Sequence, residues 1–446
     1  MNGPPLPAPP FTCETVIFRP CISSPSLAYA SCCVLFLRME GSTDDGPLAV
    51  ELDHIREIIQ RASQHDIDGL RKCIDKYTFT ECEPVDVQDP STGFSPLHAA
   101  IQSCQSATIS GRPPSEHGPE ACHVGTVAGD PEEAACDTVR CLLENGAIWN
   151  QLDKHDETPG CIAYRLGLQK AYQLMVDAGV RAELLLNRLD GYEELKDDEN
   201  DGTSEGDRPG DHLEEDAGVR SATESDISSS RYLSSTLSMN DMRLLDDENN
   251  GVMMSWESDI MLRSADAILW QSGLRVLNIG FGMGIIDSHI QAHANQPASH
   301  HIVEAHPDVL ADMKTKEWDK RPGVVIHAGK WQDVLPDLVA QGELFDAIYF
   351  DTFAETYSQF RDFFSEHVIG LLSQNGRWSY FNGMGADRQI SYDVYQKVVE
   401  LDLFESGFDV EWTDLELPKL DKQWEGVRRK YWNVDHYRLP VCKFMN

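Results

Sequence analysis

The stretch VLNIGFGMGIID, Val276 to Asp287, decides the fold. An apolar run of strand length breaks at Gly280, Gly282 and Gly284, and Ile285-Ile286-Asp287 then opens a helical pattern. A buried strand, a glycine turn and a helix make the opening unit of an open α/β sheet, whose ligands bind beyond the carboxyl ends of the strands. Without a Cβ, the turn lets backbone N–H groups approach a ligand closely. The turn departs from the dinucleotide fingerprint G-x-G-x-x-G, because Ile285 occupies the place of the last glycine and Gly284 comes one residue early.

Working outward, LRVLNIG, HHIVEAH, GVVIHAG, FDAIYFD and GRWSYFNG are apolar runs of strand length separated by helical stretches. This alternation predicts a mostly parallel sheet covered by helices on both faces. After a helix at Ile390 to Glu405, FDVEWTDLEL and YWNVDHYRLPVCKF close the sheet as an antiparallel pair. The second strand ends at Glu304, 24 residues beyond Gly280, near the spacing at which an acid takes ribose hydroxyls in nucleotide-binding folds. The nucleoside belongs either to a dinucleotide or to S-adenosylmethionine. The misplaced third glycine favours the methyl donor.

A formal net charge of −37 argues against direct binding to DNA or RNA, which rests on Lys and Arg displacing counterions, and points to a basic protein partner. None of the 12 cysteines falls in a Cys-x-x-Cys pair, and Cys122, His123, Cys136 and Cys141 fit no zinc module, so no metal is expected. Reduced thiols suit a cytosolic or nuclear protein. The apolar run SLAYASCCVLFL, Ser26 to Leu37, is too short to span a bilayer and lacks a preceding basic cluster, which predicts no membrane segment. With the proline-rich start MNGPPLPAPPF, residues 1–38 read as a disordered extension.

From Leu52, LDHIREIIQRASQHDIDGLRKCIDKY has the spacing of two helices. Ser95 to Ala100, SPLHAA, matches the T-P-L-H-x-A signature of ankyrin repeats, and Glu157-Thr158-Pro159 opens a second, poorer copy. Pro96 and Pro159 lie 63 residues apart against a repeat of about 33. A polar insertion over Gln105 to Ala135 accounts for the excess, and VRCLLENGA, Val139 to Ala147, supplies a second helix with its glycine stop. His98 is expected to brace the turn between repeats, and so short a module either presents a binding surface or packs against its neighbour. Glu193 to Asp226 is acidic, Gly- and Ser-rich and poor in apolar residues, which predicts a disordered linker. The division is therefore an extension to 38, ankyrin-like helices over 39–190, a linker over 191–230 and an α/β domain over 231–446.

VMMSWESDIM, NIGFGMGII, VEAH, KWQDV and YFDTF occur in the order and spacing of the guanidinoacetate methyltransferases. With the ankyrin-like segment in front, the chain resembles the fungal protein arginine N5-methyltransferases, or type IV arginine methyltransferases. The resemblance implies a Rossmann-like class I methyltransferase domain preceded by a small all-α ankyrin-like domain, with S-adenosyl-L-methionine as cofactor. It implies that Gly280, Phe281, Gly282, Met283, Gly284 and Ile285 wrap the methionine part of the cofactor. Glu304 would hold the ribose, Ala305 and His306 would lie beside the adenine, and Lys330 and Trp331 would flank it. Asp351 would sit next to the reacting methyl, and Tyr232, Met253, Glu257 and Met261 would come from a helical segment over the cofactor. Two departures stand out: Asn278 occupies a position where many methyltransferases carry a carboxylate, and Ala305-His306 replace Cys-Asn. There is no pair of glutamates around a Met-Gly-Tyr hairpin of the kind that serves methylation of terminal guanidino nitrogens, which through the resemblance supports the internal one.

A guanidinium stays charged at neutral pH and presents five donors in a planar fork, so its site needs carboxylates placed for bidentate bonds. Glu257 and Asp351 are the candidates, although a helix Glu is as readily a solvent-facing charge. Trp256, Trp331 and Phe353 either wall off water or belong to the core. The expected activity is monomethylation of the internal (δ, N5) nitrogen of arginine in a basic, ribosomal protein, by a monomer in the cytoplasm and nucleus. A small-molecule guanidino methyltransferase and an inactive ankyrin adaptor are the alternatives.

Overall fold

The computed structural model describes residues 46–80, 82–105, 131–189 and 228–445. The extension at 1–38, most of the polar insertion and the linker through residue 227 lie outside them.

Near the start of the second half, β1 (Ser238–Met239), β2 (Arg243–Leu245) and β3 (Gly251–Met254) form a small antiparallel sheet. The main sheet contains β4 (Arg275–Ile279), β5 (Ser299–Glu304), β6 (Val324–Ala328), β7 (Phe345–Phe350), β8 (Leu372–Tyr380), β9 (Phe408–Glu416) and β10 (His436–Phe444). Its spatial order is β6-β5-β4-β7-β8-β10-β9. Pairings from β6 across to β8 are parallel, and β10 runs antiparallel between β8 and β9. This is the Rossmann-like, mostly parallel sheet expected from the sequence. The chain winds from β4 through β5 to β6 on one side and then crosses back to β7, so the connections part above the carboxyl ends of β4 and β7. That parting opens the crevice in which such sheets bind ligands.

The segment before β4 corrects the expectation of a purely helical cover. Tyr232 lies on the short helix α7 (Ser229–Ser234) and Met261 on helix α8 (Ser258–Ile268), but Met253 is in strand β3 and Glu257 in the 3₁₀ turn Ser255–Glu257. Asn249 adopts a left-handed φ of 62°, and Asp246 accepts hydrogen bonds from the backbone N–H groups of Glu248 and Asn250. Asn and Asp make turns in this way, and the turn folds β3 back on β2.

The N-terminal helices are α1 (Gly46–Ser63), α2 (Ile67–Lys76), α3 (Pro96–Gln102), α4 (Pro131–Glu144), α5 (Pro159–Leu166) and α6 (Gln169–Leu189). Ser95 and Thr158 cap α3 and α5, each with proline following at the first helical position, where its missing N–H is no loss. Residues 131–135, read from sequence as the end of the insertion, are already helical, with Pro131 and the acidic Glu132 and Glu133 opening the first turn. The Ser95 backbone N–H donates to His98 Nδ1 at 3.1 Å, which leaves Nε2–H to donate to the Glu157 carbonyl at 3.0 Å. The ring therefore braces the two turns, and burial lowers its pKa.

These helices pack on the α/β unit through α6 and α11 (Gln389–Glu405), and one continuous core joins them. Gly179 is what allows the approach, since a Cβ there would lie 2.6 Å from Val394 Cγ2. Tyr172 donates to Asp393 at 2.6 Å, and Lys397 pairs with Asp177 at 3.2 Å. Among the described residues, no group of three or more His, Cys, Asp or Glu side chains is arranged to hold a metal ion.

Candidate active site

Gly280 ends β4 at φ +90°, and a Cβ on it would lie 1.8 Å from the Asp351 carbonyl oxygen. The Asp351 N–H donates to the Ile279 carbonyl at 2.8 Å, so the ends of β4 and β7 touch here and only glycine fits. Gly282 takes the thioether of Met253 against its bare Cα, with a notional Cβ 2.7 Å from Cε. The glycine turn is thus built for backbone close to backbone and for a roof laid over it.

Glu304 closes the other side. Its Oε2 accepts from the N–H groups of Phe281 at 2.9 Å and Gly282 at 3.3 Å, and its Oε1 from those of Ala305 at 2.7 Å and His306 at 2.6 Å. A carboxylate has about four lone-pair positions, and all are in use. Glu304 therefore staples the glycine turn to the end of β5, and a ribose hydroxyl would have to share or displace one of these donors. Burial raises its pKa against the lowering effect of the four bonds.

Between these walls lies a solvent-open cleft. Of the residues expected from sequence, Tyr232 and Met253 roof it, Gly280, Gly282, Glu304 and Ala305 form one wall, and Lys330, Trp331 and Asp351 form another. The others sit elsewhere. Phe281 packs edge-on against Trp318 in the core, ring centres 5.1 Å apart. Met261 is fully buried against Ala265 and Ile290. Met283, Gly284 and Ile285 border a neighbouring groove, where the Met283 N–H donates to Met253 Sδ at 3.2 Å. His306 accepts from the Asp308 N–H at 3.1 Å and caps helix α10 (Pro307–Thr315), while its Nε2 donates to the Tyr232 carbonyl at 3.0 Å. It therefore supports the roof and does not line the cleft.

Sequence reasoning missed Glu355 and Tyr431. Glu355 lines the cleft and accepts from the indole N–H of Trp331 at 3.0 Å. It stands in the same loop as Asp351, a proximity that could have flagged it. Tyr431 donates its hydroxyl to Glu257 from 174 residues away, a pairing with no local signature. Phe353 does face the cleft, edge-on to Tyr232 at 5.0 Å, and Trp256 packs among Trp424, Tyr431 and Trp432.

Glu257 is buried, and Asp351 is half-buried on the cleft wall. Glu257 is only 2% exposed, against the alternative of a solvent-facing helix charge. Asp351 Oδ2 is buried without a hydrogen bond. Burial first, and the Asp287 carboxylate second, push Asp351 up to about 7. Glu257 lies well above the ordinary carboxylate range because of burial and then the nearby Asp351, while Tyr431 and the Met254 N–H pull it down. Asp287 also explains the missing acid at Asn278. The Asn278 amide donates to both Asp287 oxygens at 2.9 and 3.0 Å, and His300 Nε2 lies 3.0 Å from Oδ1. The carboxylate behind the glycine turn thus comes from helix α9 (Ile285–Ala292) and not from the strand. A buried acid beside one with a buried oxygen, both lacking a countercharge, forms a site for a cation.

Strand order, glycine turn and the acid closing β5 define an S-adenosylmethionine-dependent methyltransferase of the Rossmann-like class. The sequence model of the family described as guanidinoacetate N-methyltransferase matches residues 235–425. Protein arginine N-methyltransferase 2 of Aspergillus fumigatus is 56% identical over 88% of this chain and 96% of its own length. The proteins of that name from Aspergillus oryzae and Neurospora crassa are 55% and 44% identical, over 89% and 88% of this chain and 98% and 96% of their own lengths. The chain belongs to the protein arginine N-methyltransferase 2 family, and its cofactor is S-adenosylmethionine. Among solved structures, Precorrin-6y C5,15-methyltransferase from Geobacter metallireducens GS-15 overlays on 42% of this chain and 88% of its own at 14% identity and a TM-score of 0.30. That overlay is too loose to weigh in the fold, which rests on the strand order.

Proposed function

We propose that this chain transfers a single methyl group to the internal (N5) nitrogen of an arginine in a basic protein, a ribosomal protein being the expected substrate. The observation that carries this reading is a pair of neighbouring acids: Asp351 on the cleft wall, its Oδ2 buried and free of any hydrogen bond, and Glu257, buried beside it and outside the residues that line the cleft. The cleft residues suit the cofactor. We assign Gly280 and Gly282 to its methionine part, Glu304 and Ala305 to the ribose and its surroundings, and Lys330 and Trp331, with Glu355 behind the indole, to the adenine.

Bound S-adenosylmethionine supplies an electrophilic methyl group on a sulfonium. Glu257 and Asp351 would each hold a terminal nitrogen of the guanidinium, which fixes its plane and supports both acids in the charged form. With both terminal nitrogens engaged, the internal nitrogen is the one left to face the methyl group. As its bond to carbon forms, the guanidinium gives up one proton in all: Asp351 takes it from the terminal nitrogen it holds, and the hydrogen of the internal nitrogen makes good that loss. Tyr232, Met253 and Phe353 keep water from the reacting atoms.

The ankyrin-like helices and the acidity of the chain support a protein substrate over a metabolite, since a small guanidino acid needs no docking surface. The same reading places a monomer in the cytoplasm and nucleus. To test it, the protein is incubated with methyl-labelled S-adenosylmethionine and a protein extract from a strain deleted for this chain, and the labelled product is fragmented in a mass spectrometer. Label on the internal nitrogen of protein arginine is expected. Label on a terminal nitrogen, or on free guanidino acids alone, would reject the proposal, and no transfer at all would favour an adaptor.

A further inference from the structure

Tyr431 lies in the connection between β9 and β10, beyond the stretch matched by the guanidinoacetate N-methyltransferase family. Its hydroxyl donates to Glu257 Oε1, and the Met254 N–H donates to the same oxygen at 3.0 Å. Two donors fill the two lone pairs of Oε1, so a cation between the acids meets Oε2. This revises the expectation of a bidentate grip by Glu257.

The phenol ring is held independently of its hydroxyl. It stacks on Trp256 with ring centres 6.3 Å apart and meets Trp424 edge-on at 4.9 Å. Gly251 makes room for it, since a Cβ there would lie 3.0 Å from Tyr431 Cε1. The loop is tied to the β2–β3 turn as well: the Arg428 N–H donates to the Asn249 carbonyl at 2.9 Å and its Nε to Asn250 Oδ1 at 3.0 Å. A phenylalanine at this position would keep all of that packing and lose one O–H group.

We propose that Tyr431 is a positioning residue for methyl transfer, whose hydroxyl locks Oε1 of Glu257 and leaves Oε2 turned toward the substrate guanidinium. This rests on the assignment of Glu257 as a guanidinium ligand. The ionisable groups that bear on Glu257 are Asp351 and the phenols of Tyr349, Tyr431 and Tyr437, and burial keeps all three phenols neutral. Tyr431 is the one that donates to the carboxylate and lowers its pKa. Removing the donor therefore makes Glu257 harder to ionise and moves the acid limb of the rate profile to higher pH.

The test compares wild type, Y431F and E257Q. Initial rates of label transfer from S-adenosylmethionine into extract from the deleted strain are followed between about pH 6 and 9, where a limb set by such acids falls. Binding of S-adenosylhomocysteine is measured by calorimetry. For Y431F, cofactor-product affinity and melting temperature should stay near wild type, the rate at neutral pH should fall roughly ten- to a hundredfold, as for a lost hydrogen bond to a charged group, and the acid limb should shift upward. A wild-type rate and profile in Y431F, with E257Q inactive, would overturn the role of Tyr431 alone. Near-wild-type activity in E257Q, or no label with wild type, would remove the assignment beneath it. Parallel loss of cofactor-product binding and melting temperature in Y431F would reduce Tyr431 to a packing residue and also overturn the proposal.

Discussion

Asp351→Asn should make the cofactor-free protein more stable at pH 8 while abolishing methyl transfer. The carboxyl is pushed from 3.8 in its ordinary state up to about 7 in the fold. That is a difference of about 3 pH units, each worth about 1.36 kcal/mol, so the buried charge costs on the order of 4 kcal/mol as a ceiling. The sign follows from where the proton sits. Below about pH 4 both folded and unfolded chains hold it, and there is no penalty. Between about pH 4 and 7 the unfolded chain releases the proton while the folded one keeps it, so stability falls as pH rises, and above about 7 the penalty is constant. Asparagine has no such titration. It also removes the charge that helps raise Glu257, which acts in the same direction. Thermal melts of both proteins at pH 4, 6 and 8 should show a gap that opens across this range. At roughly 2–4 °C per kcal/mol for a domain of this size, half the ceiling would amount to several degrees. An Asn variant no more stable than wild type at pH 8, or a gap indifferent to pH, would refute the placement of Asp351 with a buried, unpartnered oxygen.

Other substitutions separate the parts of the site. Gly280→Ala puts a methyl group into the Asp351 carbonyl at a φ of +90° and should cost on the order of 1–3 kcal/mol or more, with loss of S-adenosylhomocysteine binding by calorimetry. Glu355→Ala removes the partner of the Trp331 indole and should weaken S-adenosylhomocysteine roughly tenfold, leaving the pH profile of transfer in place. Glu257→Gln should keep that affinity and lower the transfer rate by roughly 10²–10⁴, as measured by label incorporation.

The centre of the main sheet was legible because β4, β5 and β7 are buried on both faces and read as apolar runs close to the observed bounds, whereas β8 starts four residues before its run and β10 five residues into its own. The positions of the glycine turn, Glu304 and Asp351 at strand ends were legible for a related reason, since the runs stop there. What was hidden came from distant pairings. Nothing near Tyr431 announces its bond to Glu257, and nothing near Asn278 says that Asp287, a turn later on the following helix, replaces the expected carboxylate. The β2–β3 hairpin was misread because its strands are only three and four residues long, too short for periodicity to speak, although Asn249, Asn250 and Gly251 do spell a turn. The second strand does end at Glu304, but four backbone N–H donors on its carboxylate are a property of the folded turn and of no sequence pattern.

The most direct measurement is a crystal structure with S-adenosylhomocysteine and an arginine peptide taken from the labelled substrate. The guanidinium should lie between Glu257 Oε2 and Asp351 Oδ2 at hydrogen-bond distance, about 2.7–3.0 Å, with the internal nitrogen facing the sulfur. A guanidinium bound away from either acid, or a terminal nitrogen turned to the sulfur, would contradict it.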